Sequence, residues 1–320
     1  MTNIRKTFHL REVTIAFVIT IAALLSGLFL DWSVTNQLFN PTNVSWYGII
    51  FSGIGELPVI IALYVSGAGL IIARRRKPIW LQVIMFICAI GAFLFALYYC
   101  YDTFTDLAKF KQTEDYSTLI KILGVLFSLF MGAAVLLPMF LLSKKFDKEI
   151  LLKVSIILFF SIVTVVLCGQ FLKYFVGRER PFSAYHNEDS YSHYDSLWSI
   201  HPFRALCLKF HIGPYSFNEG DKTDYFKSFP SGHSMYAAFG MLLYPLLTLL
   251  NPKTKECRPL QISMFYLGLV WTLIVTSSRI VAGYHYLTDV SSGTLLTLTV
   301  SLIAIIVISK IIKDKKLLTD

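Results

Sequence analysis

Apolar residues in this chain gather into runs long enough to cross a bilayer, separated by short polar connections that hold most of the charge. A helix rises about 1.5 Å per residue, so roughly 20 apolar residues span the ~30 Å of hydrocarbon. The pattern predicts eight membrane helices, over about 13–30, 50–73, 79–100, 117–143, 150–172, 234–250, 260–278 and 290–310. The first follows the polar, basic stretch Met1–Glu12, and no small-residue cleavage site comes after it. It therefore reads as a membrane helix and not as a removed leader. The second run is interrupted at Glu56-Leu57-Pro58, which makes Ser45–Gly55 an expected interfacial helix and moves the start of the true span to near Leu57. The fold class expected is all-α, a polytopic membrane helix bundle.

Composition agrees with the pattern. The chain has 320 residues, of which 55% are hydrophobic and only 15% charged, where a soluble domain carries about 25% charged residues. A net charge of +9 would point to nucleic acid in a soluble protein, but here the positions of the charges argue for topology and no nucleic-acid partner is expected. Arg5, Lys6 and Arg11 precede the first run. Arg74-Arg75-Arg76-Lys77, the group Lys144, Lys145 and Lys148, the group Lys253, Lys255 and Arg258, and the group Lys310, Lys313, Lys315 and Lys316 follow runs two, four, six and eight. The alternate connections are poor in base: 31–45 has no Lys or Arg, and 101–116 has only Lys109 and Lys111. Cytoplasmic connections collect Lys and Arg, so both termini are expected in the cytoplasm, with Lys173–His233 and Arg279–Asp289 on the outer side. The five cysteines, Cys88, Cys100, Cys168, Cys207 and Cys257, have no metal-type pairing. A Cys100–Cys207 bridge is conceivable, but small buried residues are the better reading.

The long polar segment 181–228 reads as a functional cover over something beneath it, with a loosely ordered insertion as the alternative. From Lys173 to His233 it balances seven basic against seven acidic residues, so it is not a basic tail. His186, His193, His201 and His211 invite a metal-site reading, but their irregular spacing and lack of a paired motif argue against one.

Three polar clusters fall on the outer side. Lys173, Arg178 and Arg180 stand where the fifth run ends; such a group suits a phosphoryl oxygen cluster, or else is a snorkelling helix end. Ser228-Phe229-Pro230-Ser231-Gly232-His233-Ser234 opens the sixth run. Its Gly allows backbone N–H groups close to an anion and its His can give a proton; Ser231 alone could equally be a helix cap. In the third cluster, Ser278-Arg279 leads to Gly283, His285 and Asp289. His and Asp four apart share a helix face, so the carboxylate can hold one ring nitrogen and leave the other free, or the two form a plain interfacial pair. Two His and at least three cations from three distant helix ends meet at one membrane face, and ionisable groups are costly there unless they function.

Lys173-x6-Arg180-Pro181, Pro230-Ser231-Gly232-His233 and Ser278-Arg279-x5-His285-x3-Asp289 resemble the three-part signature of the type-2 phosphatidic acid phosphatase superfamily, related to glucose-6-phosphatases and vanadium haloperoxidases. The resemblance covers roughly 150–310. It implies a six-helix phosphatase core, so this chain carries an apparent extra helix pair, with N-terminal membrane helices over 1–148 and the core over 149–320. It further implies that His285 attacks phosphorus, Asp289 orients it, and His233 protonates the leaving oxygen and then activates water. Lys173, Arg180, Ser231, Gly232 and Arg279 would hold the phosphoryl oxygens, and Arg178 would be a supporting charge. No acidic cluster suited to Mg²⁺ accompanies these motifs, so no metal or other cofactor is expected and the cations take its place. The expected protein is a metal-independent phosphatase of the plasma membrane. Its partners are the bilayer and a lipid phosphate of phosphatidate, phosphatidylglycerol phosphate, undecaprenyl diphosphate or phosphorylated glycolipid type, reached at the extracytoplasmic face. The competing expectations are a lipid phosphotransferase using the same intermediate and a non-catalytic phospholipid-binding protein or transporter. A soluble ester as substrate is less favoured, and haloperoxidase chemistry is disfavoured by the membrane embedding.

Overall fold

The computed structural model describes residues 10–42, 45–75, 77–109, 117–185, 201–204, 207, 223–246 and 257–311. They form helices α1 (Leu10–Leu38), α2 (Trp46–Ile54), α3 (Leu57–Ala73), α4 (Ile79–Lys109), α5 (Ser117–Leu141), α6 (Lys148–Val176), α7 (Pro181–Ala184), α8 (Gly232–Ala237), α9 (Cys257–Val281) and α10 (Leu287–Ile311), with 3₁₀ turns at Thr223–Phe226 and Ala238–Leu242. There is no strand among the described residues. Seven helical stretches among them are long and apolar enough to cross a membrane: α1, α2 with α3, α4, α5, α6, α9 and α10. The all-α membrane bundle expected from the hydrophobic pattern is the fold observed, and the chain is a membrane protein.

The interrupted second run does break where Pro58 sits: α2 stops at Ile54 and α3 starts at Leu57 with Pro58 in its first turn, a place where a missing N–H costs nothing. The sixth run is built differently from a continuous helix. It opens as α8, tightens into the 3₁₀ turn, and leaves 247–256 outside the described residues. There the backbone of α9 presses against it, since a Cβ on Gly240 would lie 3.3 Å from Gly268 Cα, and Pro245 follows with no N–H to continue a helical ladder.

Helix α3 is the centre of the packing. Within lipid, helices associate through close van der Waals approach more than through apolar burial, and α3 carries the small residues that allow it, Ser66 to Gly69. A Cβ on Gly67 would lie 2.5 Å from the Phe93 ring of α4, and one on Gly69 would overlap Ser155 of α6. Val59, Ile60, Ala62 and Ala68 of α3 are fully buried. The outer helices do the opposite and turn large apolar groups outward, with Phe29 of α1 86% exposed, Phe130 of α5 67% and Leu267 of α9 69%. The principal hydrophobic cluster joins α3 and α4 to α6 and to Met235, Tyr236 and Phe239. The core thus runs continuously across the boundary at 148/149.

Chain direction alternates so that one end of the bundle collects the C-termini of α1, α4, α6 and α9 and the N-termini of α3, α8 and α10. All the expected site residues lie at that end. Cys88, Cys100, Cys168 and Cys207 are free thiols, so Cys100 and Cys207 are not bridged. Among the four loop histidines, only His201 is a described residue; His186, His193 and His211 lie outside them.

Candidate active site

The three distant motifs are stitched together by backbone hydrogen bonds. Helix α6 begins at Asp147, whose side chain accepts from the N–H groups of Glu149 and Ile150, and ends at Gly177. Gly177 takes the left-handed φ of 61°, which ends the helix just past Lys173 and which a side chain would strain. The chain then runs extended through Arg178 and Arg180. Ser228 N–H donates to Arg178 O at 3.1 Å, Arg180 N–H to Tyr225 O at 2.7 Å, Phe182 N–H to Gly283 O at 2.8 Å and Ser231 N–H to Asp289 O at 3.0 Å. These bonds lock the first motif to the second and third, so the positions of the functional side chains follow from the main chain.

The result is a cavity of about 520 Å³ whose wall includes Lys173, Arg180, Gly232, His233, Arg279 and His285. A Cβ on Gly232 would lie 3.2 Å from Lys173 Nζ, so the ammonium sits against the start of α8. The guanidinium groups of Arg279 and Arg180 flank the Tyr284 ring at 4.3 and 5.4 Å from its centre, an arrangement that holds planar cations in place while leaving their edges for hydrogen bonds. Arg180 Nε is buried without a protein partner. One expected phosphate-binding residue is placed elsewhere. Ser231 is fully buried, its hydroxyl takes the Ser234 hydroxyl at 3.0 Å and caps α8, and it does not line the cavity. Its hydroxyl oxygen accepts from Ser234 at the start of α8, which makes it the cap of that helix.

His285 is buried and its Nδ1 donates to Ser228 O at 2.7 Å, which leaves Nε2 without a proton. The expected direct bond from Asp289 is not what holds the ring: Asp289 Oδ2 stands 3.9 Å from Nδ1. That carboxylate instead accepts from Ser228 Oγ at 2.5 Å, from Tyr286 N–H at 2.9 Å and from Arg178 Nη1 at 2.7 Å. Asp289 therefore fixes Ser228, and the Ser228 carbonyl fixes the imidazole. Burial, joined by the Arg180 and Arg279 charges and opposed by Asp289, pushes His285 down to about 3.

Arg178 is fully buried and is absent from the cavity wall. It forks between Asp289 and Asp31 of α1, the latter at 3.0 Å, and lies 4.1 Å over the Tyr286 ring. Asp31 also accepts from Thr288 N–H at 2.8 Å and from the Thr288 hydroxyl. Sequence reasoning missed Asp31, which it left in the connection after the first run; α1 continues past it to Leu38, and an acid on a membrane helix was the available signal.

Sequence reasoning also missed the opposite wall, which comes from helices upstream of the motifs and includes Ser52, Glu56, Tyr99 and Asp102. His233 Nε2 donates to Ser52 O at 3.1 Å and lies 3.9 Å from Glu56 Oε1. Tyr99 gives its hydroxyl proton to Tyr236 at 2.8 Å, closing the floor between α4 and α8. Burial and the charges of Arg279 and His285 hold His233 well below its usual range. At the rim, burial of Asp224 is outweighed by Arg180 and Lys227, which keep its carboxyl below the ordinary value.

The arrangement brings a bare imidazole nitrogen, a second imidazole, and three cations to one cavity, which is what a phosphoryl group in transfer requires. Among known families, the one described as the PAP2 superfamily matches residues 154–313. No curated protein and no solved structure matches the chain.

Proposed function

The chain belongs to the PAP2 superfamily, and on that premise we propose that it is a metal-independent lipid phosphate phosphatase working through a phosphohistidine at the extracytoplasmic face. Enzymes of this family act on phosphate esters. The observation that carries the finer reading is the pairing of His285 and His233 across a cavity that Lys173, Arg180 and Arg279 also line.

In the proposed mechanism the three cations and the amide side of Gly232 hold the nonbridging oxygens. His285 Nε2, kept bare because Nδ1 donates to Ser228, forms a bond to phosphorus as the ester P–O bond breaks. His233 has Nε2 engaged by Ser52, so Nδ1 carries the proton that goes to the leaving oxygen. Water then gives a proton back to His233 Nδ1, its oxygen bonds phosphorus, the P–N bond breaks, and phosphate leaves with His285 restored. In the empty enzyme the nearby cations disfavour a charged His233; an arriving phosphate offsets them and readies the acid.

A lipid substrate is supported by the position of the cavity at the ends of membrane helices, where a tail can stay in hydrocarbon while the phosphate reaches the cations. The outer face is supported by Arg74, Lys77, Lys144 and Lys145 at the opposite end of the bundle. Purified protein assayed with chelator against a panel of lipid mono- and diphosphates tests the reading. Release of phosphate by wild type and its loss in a folded His285→Ala variant are expected. Full activity in that variant, or dependence on added metal, would refute it. Transfer of the phosphoryl group to an alcohol acceptor in place of water would favour the phosphotransferase alternative.

A further inference from the structure

The two imidazoles of the site are held in the same way by different parts of the chain. His285 rests Nδ1 on a serine carbonyl, Ser228 O, at 2.7 Å with a carboxylate oxygen of Asp289 3.9 Å behind it. His233 rests Nε2 on another serine carbonyl, Ser52 O, at 3.1 Å with a carboxylate oxygen of Glu56 also 3.9 Å behind it. We propose that Glu56 is the positioning residue of the general acid, a carboxylate behind the His233 ring that favours its charged form against the surrounding cations while Nδ1 faces the leaving oxygen. The inference rests on the reading of His233 as the acid. Ser52 and Glu56 both precede residues 154–313, so the family match assigns neither.

The segment that carries them is seated firmly on the core. A Cβ on Gly48 would lie 2.6 Å from Ala282 Cβ, so only glycine lets α2 lie this close to the end of α9. Tyr47 donates its hydroxyl to Ile274 O at 2.7 Å, and Phe51 meets the Trp271 ring edge-on at 5.7 Å. Helix α2 is thereby fixed to the helix that bears Arg279, and the break before α3 delivers a carbonyl and a carboxylate to His233.

A counter-charge is needed at that point. His233 is faced by Arg279 of α9, Lys173 of α6 with Arg180 beyond it, and His285 of the α9–α10 connection, all opposing a charged ring. Asp102 of α4 and the hydrogen-bonded Tyr99 and Tyr236 share the cavity wall, and Asp224 at the rim is paired with Lys227 at 3.4 Å. A carboxylate oxygen of Glu56 comes to 3.9 Å from the ring and supplies that counter-charge.

Leaving-group dependence separates this role from a structural one. The full-length protein, with Glu56→Gln and Glu56→Asp variants, is assayed in detergent on a long-chain alkyl phosphate and on a nitrophenyl phosphate bearing the same chain. Values of kcat/KM are followed against pH. The nitrophenolate leaves without a proton, whereas the alkoxide needs the acid. Glu56→Gln is expected to lose about tenfold on the alkyl ester, to stay within about twofold on the nitrophenyl ester, and to shift the falling limb about one unit toward acid. Glu56→Asp is expected to recover most of the loss. Equal losses on both esters with an unmoved limb would overturn the proposal, as would a gain on both, which would mean that Glu56 only repels phosphate. If wild type turns over neither ester, the phosphatase reading itself falls and takes the proposal with it.

Discussion

His285 serves as a nucleophile only if one ring nitrogen keeps its proton and the other stays bare, and the Ser228 carbonyl secures both. Its depressed basicity, about 3, has a direct consequence for the rate. The neutral form is present above that pH, so the nucleophile is available throughout the physiological range. His233 is needed in the charged form, and in the empty enzyme that form is lost as pH rises through a value well below 6.5. Because kcat/KM reports the free enzyme, its pH profile is expected to be a bell on the acid side, rising from near pH 3 and falling before neutrality. A flat profile from pH 5 to 9 would contradict the assignment. The motif residues were readable because each lies at a short, fixed spacing from another polar residue, as Arg279, His285 and Asp289 do. Asp31 stands far from the motifs in sequence, as does the Ser52/Glu56 pair, and only the fold brings them to the motifs. The detailed hold on His285 was also hidden, since a backbone carbonyl leaves no trace in a sequence.

At the scale of elements, the ion network of Arg178 ties three helices into one support. Its guanidinium joins the end of α6 to Asp289 in the first turn of α10 and to Asp31 of α1. Removing one partner of a buried pair is far costlier than never having made it, about 3–5 kcal/mol. Arg178→Ala would leave Asp31 and Asp289 facing each other without a counter-charge. We expect a marked fall in the thermal unfolding midpoint and loss of turnover, with Arg178→Lys failing to restore activity because an ammonium cannot fork to both acids. Near-normal stability and activity of Arg178→Lys would show that charge alone suffices. The starts of the long helices were legible to within a few residues, but α1 and α4 run on to Leu38 and Lys109, past the expected ends at 30 and 100. The break before α3 was legible too, because Pro58 marks it. The tightening of the sixth run was not, because its cause is a neighbour: the approach of Gly268 of α9 to Gly240.

At the scale of the whole molecule, the second and third membrane runs line the cavity, and the first supports it through Asp31 and Arg178. The hydrophobic core crosses from α3 and α4 into α6 and α8, and the cavity draws walls from both halves. That answers a question the resemblance left open, the use of the helices before residue 150. Orientation is testable apart from activity. Single cysteines at exposed Asn40, on the site side, and exposed Lys145, on the far side, can be placed in a background lacking the native five. An impermeant thiol reagent is expected to label Asn40→Cys in intact cells and to label Lys145→Cys only after lysis. The reverse pattern would put the site on the cytoplasmic face.

The central claim is that a phosphoryl group passes through His285, and trapping it there is the most direct measurement. Substrate labelled in its phosphate, mixed with the His233→Ala variant and quenched in base, should leave label on the protein. The His233→Ala variant is expected to form the intermediate slowly and to clear it more slowly still, for want of the base that activates water. The account predicts a base-stable, acid-labile phosphate mapped to His285 and absent when His285→Ala is added. Label on another residue, or none while phosphate is still released, would contradict it.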